Sequence, residues 1–106
     1  MKENSRLLKA KAKVLKAMGH PTRLWIIEEL SRQERCVCEL VDGIGADFST
    51  VSKHLTVLKE AGLVSDKKNG KQVIYNLKVP CVLNFINCIE SVIRNQFEEN
   101  CCIINE

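Results

Sequence analysis

The sequence contains no apolar run of the roughly 20 residues that a membrane-spanning helix needs. Its start, MKENSRLLKAKAK, also lacks the apolar core and the cleavage site of a secretory signal. We therefore expect a cytoplasmic protein. No repeat, low-complexity segment or linker divides the 106 residues. A chain of this length, with 45% hydrophobic content, fits one domain over residues 1–106, and its modest core favours oligomerisation.

Sequence patterns typical of enzymes are missing as well. There is no Ser-His-Asp set, glycine-rich phosphate loop or pair of acids placed for catalysis, and we interpret Glu60 and Asp66 as surface charges. The Cys-x-x-Cys motif of a thiol oxidoreductase is absent, and the cysteine spacing supports a structural zinc site only weakly. We expect that the protein is not an enzyme.

Charge is distributed unevenly along a chain of net charge +3. Residues 1–20 contain six Lys or Arg against one acid, and residues 49–78 contain six against two. Residues 79–106 reverse the balance, with one Arg against four Glu. The basic segments favour a polyanionic partner, whereas the acidic and apolar end favours contact with protein.

Apolar residues at spacings of three and four predict three helices in the first half of the chain. The first covers about residues 5–18, and the second starts at Pro21 and runs to about residue 33. A short third helix follows in ERCVCELVDGIG, which two glycines end. The stripe of the first helix consists of Leu7, Leu8, Val14, Leu15 and Met18.

The segment GIGADFSTVSKHLTVLKEAG is the most informative part of the sequence. Its helical spacing predicts one buried stripe, formed by Phe48, Val51, Leu55 and Leu58. The groups left outside are short donors and acceptors with one cation, namely Ser49, Thr50, Ser52, Lys53 and His54. Such groups suit base edges and phosphates in a DNA major groove. Together with the third helix this segment predicts a helix-turn-helix over about residues 36–61.

The following segment, LVSDKKNGKQVIYNL, predicts a β-hairpin over about residues 63–77. Asn69-Gly70 is typical of a type I′ turn, and Val73, Tyr75 and Leu77 alternate as in a strand. Lysines flank the tip, at positions 67, 68 and 71. A hairpin in this position is a wing that can touch the neighbouring DNA backbone.

The last predicted helix, about residues 80–98, has an apolar stripe too wide for one small core. The surplus surface needs a partner, and the first helix is the other element free to join it. We therefore expect a two-fold symmetric dimer formed through these two helices. The predicted fold is mainly α, with four helices, a two-stranded hairpin and a fifth helix in chain order.

Three segments over roughly residues 8–95, KAMGHPTRLWIIEEL, ERCVCELVDGIGADFSTVSKHLTVLKEAGLV and GKQVIYNL, closely resemble the arsenic-repressor (ArsR/SmtB) family. The resemblance implies a homodimeric winged-helix repressor that binds operator DNA without a cofactor until an inducing ion lowers its affinity. It also implies which side chains meet DNA: Ser49, Thr50, Ser52, Lys53 and His54 in the major groove, and Lys68 and Lys71 at the wing.

Cys36-Val37-Cys38 is similar to the CVC element at the third helix of the family's arsenic, antimony, cadmium and lead sensors. The resemblance implies As(III) or Sb(III) as the inducer, and next Cd(II) or Pb(II). Thiolates suit such soft ions, and without an export signal we expect free thiols. Helical residues two apart point about 200° away from each other. If both sulfurs bind one ion, this turn must loosen or run extended, and the distortion could tilt the adjacent predicted DNA-reading helix.

A third ligand is not evident from the sequence. Several arsenic repressors carry a further cysteine where this chain has Val41, and the resemblance implies that arsenite prefers three thiolates. Cys101 and Cys102, from either protomer, are our first candidates. The zinc pattern of the family would fall on Val79-Pro80-Cys81, Val92 and Asn95, where almost every ligand is missing.

Two further readings of the cysteines stay open. Cys81 and Cys88 stand about 10.5 Å apart along one helix face, so they could share an ion only across a dimer axis. Any of the cysteines could instead be a small buried hydrophobe. A repressor that senses thiol oxidation or persulfides is the alternative function.

Overall fold

The structure is a computed structural model that describes residues 2–104, and within these it leaves out the side chains of Glu3 and of residues 99–104. A single 3-10 turn, Lys2–Asn4, precedes five α-helices and three short strands. In chain order these are α1 (Ser5–Met18), α2 (Pro21–Arg32), β1 (Arg35–Cys36), α3 (Val37–Ile44), α4 (Phe48–Glu60), β2 (Val64–Asn69), β3 (Gln72–Leu77) and α5 (Val82–Ile104).

Local hydrogen bonds explain where the central helices begin and end. The imidazole of His20 accepts from the backbone N–H of Thr22 at 3.1 Å and caps α2, whose first residue is Pro21. Gly45, at a φ of 76°, ends α3 in the left-handed region that glycine tolerates. Two residues later the Asp47 carboxylate caps α4 by accepting from the N–H of Thr50 at 3.2 Å. The predicted helix-turn-helix is therefore present as α3 and α4.

The strands form one antiparallel sheet in the order β1-β3-β2. The sequence did not predict β1, because two residues are too few to show an alternating pattern. Its Cys36 pairs with Ile74 of β3, so the chain is extended where we had expected the third helix to begin. The predicted fold class, a mainly α winged helix-turn-helix, is confirmed with this additional strand.

The predicted turn type at the wing tip is wrong. Asn69 pairs with Gln72, which leaves Gly70 and Lys71 as the two turn residues. Gly70 has a φ of 66°, and no non-glycine residue of the described chain has a positive φ. Positive φ at the first turn residue alone is the pattern of a type II′ turn, whereas type I′ needs it at both. Asn69 therefore stays in the strand as its last residue.

The core lies between α2, α3, α4 and the sheet. Its fully buried side chains are Ile26, Ile27, Leu40, Val51, Leu55, Leu58 and Val64. Phe48 does not belong to it, contrary to the predicted stripe, because this residue is 61% exposed. It is the first residue of α4, and the buried face of that helix begins one turn later, at Val51.

Two apolar surfaces remain uncovered on the helices at the chain ends. Large side chains exposed by 41–70% are Leu7, Leu8 and Leu15 of α1 and Phe85, Ile89, Val92, Ile93 and Phe97 of α5. An apolar cleft of about 600 Å³ continues this surface between α1, the Gly62 loop and the start of α5. Within residues 2–104, no helix is long and apolar enough to cross a membrane.

Candidate DNA interface and adjoining sulfur site

The outer face of α4 carries the short polar side chains that the sequence predicted for a DNA contact. Ser49, Thr50 and Lys53 are exposed and Ser52 is half-buried. The helix start is fixed by Asp47, whose pKa is lowered by the hydrogen bonds from Thr50, so the cap stays a carboxylate at neutral pH. These side chains thus project from a well-anchored helix end, and their contact with bases stays a prediction.

His54 lies differently from its neighbours on α4. Its ring is half-buried against α2, with its centroid 4.5 Å from that of His20. Its Nδ1 is 3.2 Å from Nη1 of Arg23. Because a guanidinium can only donate, Nδ1 must accept, and the ring proton resides on Nε2. Burial, and then the charges of His20 and Arg23, lower the pKa of His54, so the ring is neutral at neutral pH.

Arg23 was not among the predicted site residues, yet it joins three helices. Its Nε donates to the carbonyl oxygen of Ala17, near the end of α1, at 2.6 Å, while its Nη1 donates to His54 of α4. Nothing in the sequence distinguishes Arg23 from the surface cations. Through this side chain the orientation of α4 is tied to α1, one of the two helices with an uncovered apolar surface.

Ion pairs already occupy one lysine of the wing and one at the end of α4. Lys67 of β2 contacts Glu34 at 3.3 Å, and Lys59 of α4 contacts Asp66 of β2 at 2.9 Å. Lys68 and Lys71 are exposed and have no ion pair among the described side chains. The two wing residues that the family resemblance implies are therefore the ones with charge available for phosphate.

Cys36 and Cys38 lie together, with their Cα atoms 5.4 Å apart and their sulfurs joined in a disulfide. This differs from the free thiols we had expected. The reason they meet is that Cys36 is extended, at φ −78° and ψ 160°, as the sequence argument required of two sulfurs sharing one ligand. Cys36 is buried and Cys38 is exposed, so the pair opens to solvent on one side.

Glu39 fixes the start of α3 beside the sulfurs. Its Oε1 accepts from the N–H of Cys36 at 3.0 Å, and its own N–H donates to Sγ of Cys36 at 3.4 Å, so the two residues form a capping box. The bond from the Cys36 N–H, and then the one from Arg35, lower the pKa of this carboxyl. Glu39 is thus a charged group already engaged by two donors.

The sulfur pair lines a cleft of about 180 Å³ whose walls come from both predicted DNA-contacting elements. Phe48, at the start of α4, forms one wall, and Lys71 at the wing tip forms another. The remaining lining residues are Val37, Gln72 and Val73. The sequence predicted that the two cysteines lie just before α4. Their position opposite the wing was not predicted, because it depends on the pairing of β1 with β3.

The other cysteines do not join this pair. Cys81 and Cys88 are exposed on or beside α5, and Cys81 lines the apolar cleft next to α1. Cys101 and Cys102, the predicted third ligands, lie outside the side chains that the structure describes. Among the described side chains, no group of three or more His, Cys, Asp or Glu converges to hold a metal ion. The identity of a third ligand stays a prediction.

Comparison with known proteins matches residues 20–66 to a family described as bacterial regulatory protein, arsR family. The arsenical resistance operon repressor of Escherichia coli is 33% identical in an alignment of length 100 that covers 83% of this chain and 86% of that protein. The HTH-type transcriptional repressor SmtB of Mycobacterium tuberculosis is 39% identical over 71 residues, 67% of this chain. That match spans 53% of SmtB, about half its length.

A solved structure agrees with the fold. The homodimeric winged helix-turn-helix DNA-binding domain from Mycobacterium bovis superposes with a TM-score of 0.80 at 27% identity, over 93% of this chain and 92% of that one. The E. coli relative shares a third of its aligned residues and is matched over most of its length. On this sequence similarity, with the same arrangement of helices and wing, the chain belongs to the arsR family of bacterial regulatory proteins.

Proposed function

We propose that this protein is a homodimeric, DNA-binding transcriptional repressor that is released from its operator by a soft, thiophilic ion bound at Cys36 and Cys38. The observation that carries the proposal is the cleft in which these two sulfurs, the first residue of α4 and the wing tip meet. A ligand there contacts both elements that would hold DNA. It can therefore favour a conformation that fits DNA poorly, which couples ion binding to release.

The dimer is supported by the uncovered apolar residues of α1 and α5 and by the homodimeric relative. DNA binding is supported by the exposed polar face of α4 and by Lys68 and Lys71 at the wing. A two-fold dimer presents two copies of α4 to successive major grooves, as winged and helix-turn-helix proteins do.

The donor chemistry favours As(III) or Sb(III), and next Cd(II) or Pb(II), because the two side chains that meet are sulfurs. Both must be reduced to thiols before they bind an ion. A third thiolate from Cys101 or Cys102, of either protomer, would complete the coordination that inorganic arsenite prefers. Cys81 and Cys88 form the alternative site, across the dimer axis.

The test is operator release in fully reduced buffer. The operator is a duplex enriched from random sequences by its binding to the protein. The protein–duplex complex is titrated with arsenite, antimonite, Cd(II), Pb(II) and, as a hard-ion control, Mg(II), and release is followed by fluorescence anisotropy. Cys36→Ser should bind DNA normally and lose the response, while Cys88→Ser should keep it. Loss of response in Cys88→Ser with retention in Cys36→Ser would move the site to α5. No release by any soft ion would refute ion sensing.

A thiol-redox repressor is the second candidate, favoured by the disulfide between Cys36 and Cys38. In that case, oxidation itself would change DNA affinity with no ion present. The mass of the protein after mild oxidant, measured alongside DNA affinity in chelator, separates the two functions. A loss of two hydrogen atoms, as two protons and two electrons passed to the oxidant, supports redox control if DNA affinity falls with it. Unchanged DNA affinity of the oxidised protein excludes redox control.

A further inference from the structure

Resting on the proposed function, we propose that a basic cleft between α1 and α4 binds the phosphate backbone of operator DNA, beside the groove that α4 enters. The cleft has a volume of about 330 Å³, and Val57 of α4 forms an apolar wall. Its charged lining residues are Lys13 and Lys16 of α1, Arg23 of α2 and Glu60 of α4. Three cations therefore face one acid, and the DNA contacts extend beyond α4 and the wing to α1.

The basic cleft lies at one end of a row of lysines on α1. Lys9, Lys13 and Lys16 are four and three residues apart, so they share one side of the helix. All three are exposed, and none has an ion pair among the described side chains. The row covers about 10.5 Å of helix axis, over which one DNA strand carries about three phosphates. A row of uncompensated cations with this spacing suits a polyanion.

The two sides of α1 have different surroundings. Lys13 and Lys16 line the basic cleft next to α4, whereas Lys11, Val14 and Leu15 line the apolar cleft next to α5. We assign the apolar side to the dimer. The lysine row is on the other side of the helix, where it can take a second partner.

The basic cleft is continuous with the face of α4 that is predicted to read DNA. Val57 follows Lys53 by one turn and is 37% exposed. Along the helix axis Val57 lies about 13.5 Å from Phe48, the first residue of α4, whereas the major groove is about 8.5 Å deep. A helix that contacts base edges with its first residues therefore leaves Val57 near the mouth of the groove. The phosphates at the edge of the groove lie at that level.

Arg23 is a cation held in a fixed position in this cleft. Its Nε donates to the carbonyl oxygen of Ala17 at 2.6 Å, and its Nη1 donates to Nδ1 of His54 at 3.2 Å. Its guanidinium forms no ion pair with any described side chain. A guanidinium that is already held in place loses little side-chain entropy when it binds a phosphate oxygen.

The test is the salt dependence of operator binding by the full-length, reduced protein with no inducing ion present. Lys13→Gln and Lys16→Gln should each lower the slope of log affinity against log salt by about one per protomer. The double variant should lower it by about two and should bind about tenfold or more weakly at physiological salt. Lys11→Gln, on the other side of α1, is the matched control and should keep the original slope. Arg23 is left intact, because its replacement would also release His54.

A second measurement locates the contact on the DNA. Ethylation of single phosphates should weaken binding of the unaltered protein at positions that include the edge of the groove read by α4. The Lys13→Gln, Lys16→Gln double variant should lose this interference at some of those phosphates and keep it at the others. Lys13→Arg, which keeps the charge, should keep the whole pattern.

The outcomes separate this inference from the proposed function. Unchanged salt slopes with operator binding intact, or an unchanged ethylation pattern in the double variant, overturn the inference and leave the proposed repressor standing. Dissociation of the double variant into monomers without DNA, measured by sedimentation velocity, assigns the lysine row to the dimer and also overturns it. If the unaltered protein binds no duplex, the proposed function and the inference fail together. Lower slopes, lost ethylation interference and an intact dimer support the proposal.

Discussion

Helices α4 and α5 are both amphipathic, yet they use their apolar faces in opposite ways. In α4 the side chains of Val51, Leu55 and Leu58 are fully buried within the chain. In α5 the side chain of Ile86 is buried, while Ile93 and Phe97 are 57% and 70% exposed. The apolar face of α4 is covered within the chain, whereas much of the apolar face of α5 is left uncovered among the described side chains. An apolar stripe therefore predicts burial without saying in which molecule its partner lies.

The same contrast separates the cysteines. Cys36 and Cys38 are brought together by a strand and a helix start of one chain. Cys81 and Cys88 remain apart and exposed near the surface that we assign to the partner. We therefore expect chemistry at Cys36 and Cys38 to act within a protomer, whereas a site shared by Cys81 and Cys88 would need two protomers.

Among the substitutions that test this contrast, the largest effect is expected from one in the buried face of α4. Leu55→Ala leaves a cavity in the core and should lower the free energy of unfolding by about 2–5 kcal/mol. Denaturant unfolding measures this loss of unfolding free energy. After subtraction of the free energy of dimer dissociation, the loss should be the same at low and high protein concentration. A loss below about 0.5 kcal/mol, typical of surface positions, would show that α4 is not self-contained.

Next comes the exposed face of α5. Ile93→Asp places a charge in the predicted dimer interface and should convert the dimer into a monomer, as sedimentation velocity would show. Ser91→Asp, also on α5 and on the opposite side of its apolar stripe, is the matched control and should stay dimeric. A dimer that survives Ile93→Asp would place the interface elsewhere.

A smaller effect is expected at the exposed polar face of α4. Lys53→Ala should weaken operator binding without loss of stability, because the side chain is exposed. The slope of log affinity against log salt should fall by about one per protomer if Lys53 neutralises one phosphate. An unchanged slope would indicate that Lys53 does not contact the backbone. Glu60→Gln, at the far end of the same helix, provides a control for general charge effects.

The smallest effect should be a pH dependence from His54. Because its pKa is lowered in the folded protein, the unfolded chain binds the proton more readily. Stability from this residue is therefore present above the ordinary histidine pKa of about 6.5 and is lost as the pH falls below it. Unfolding measured from pH 8 to pH 5 should show a shallower decline in His54→Gln and an unchanged one in Thr56→Gln. Equal slopes in all three proteins would contradict this assignment.

Much of the fold followed from the sequence because its signals are local. Helix periodicity located α1 to α5, and Pro21, Gly45 and Asp47 lie at helix ends for reasons that involve only their neighbours in the chain. Two of the errors concern contacts with distant residues. Strand β1 exists because β3 pairs with it, and Phe48 is exposed because the core ends one turn beyond it.

By itself, the sequence determined the family, the order of the main helices, the hairpin and the presence of two cysteines separated by one residue. Tertiary structure decided what those cysteines face and how Arg23 holds His54. The physical reason is that caps and periodicity depend on residues a few positions apart. The walls of a cleft come from residues far apart in the chain, and no local sequence pattern shows that these residues come together.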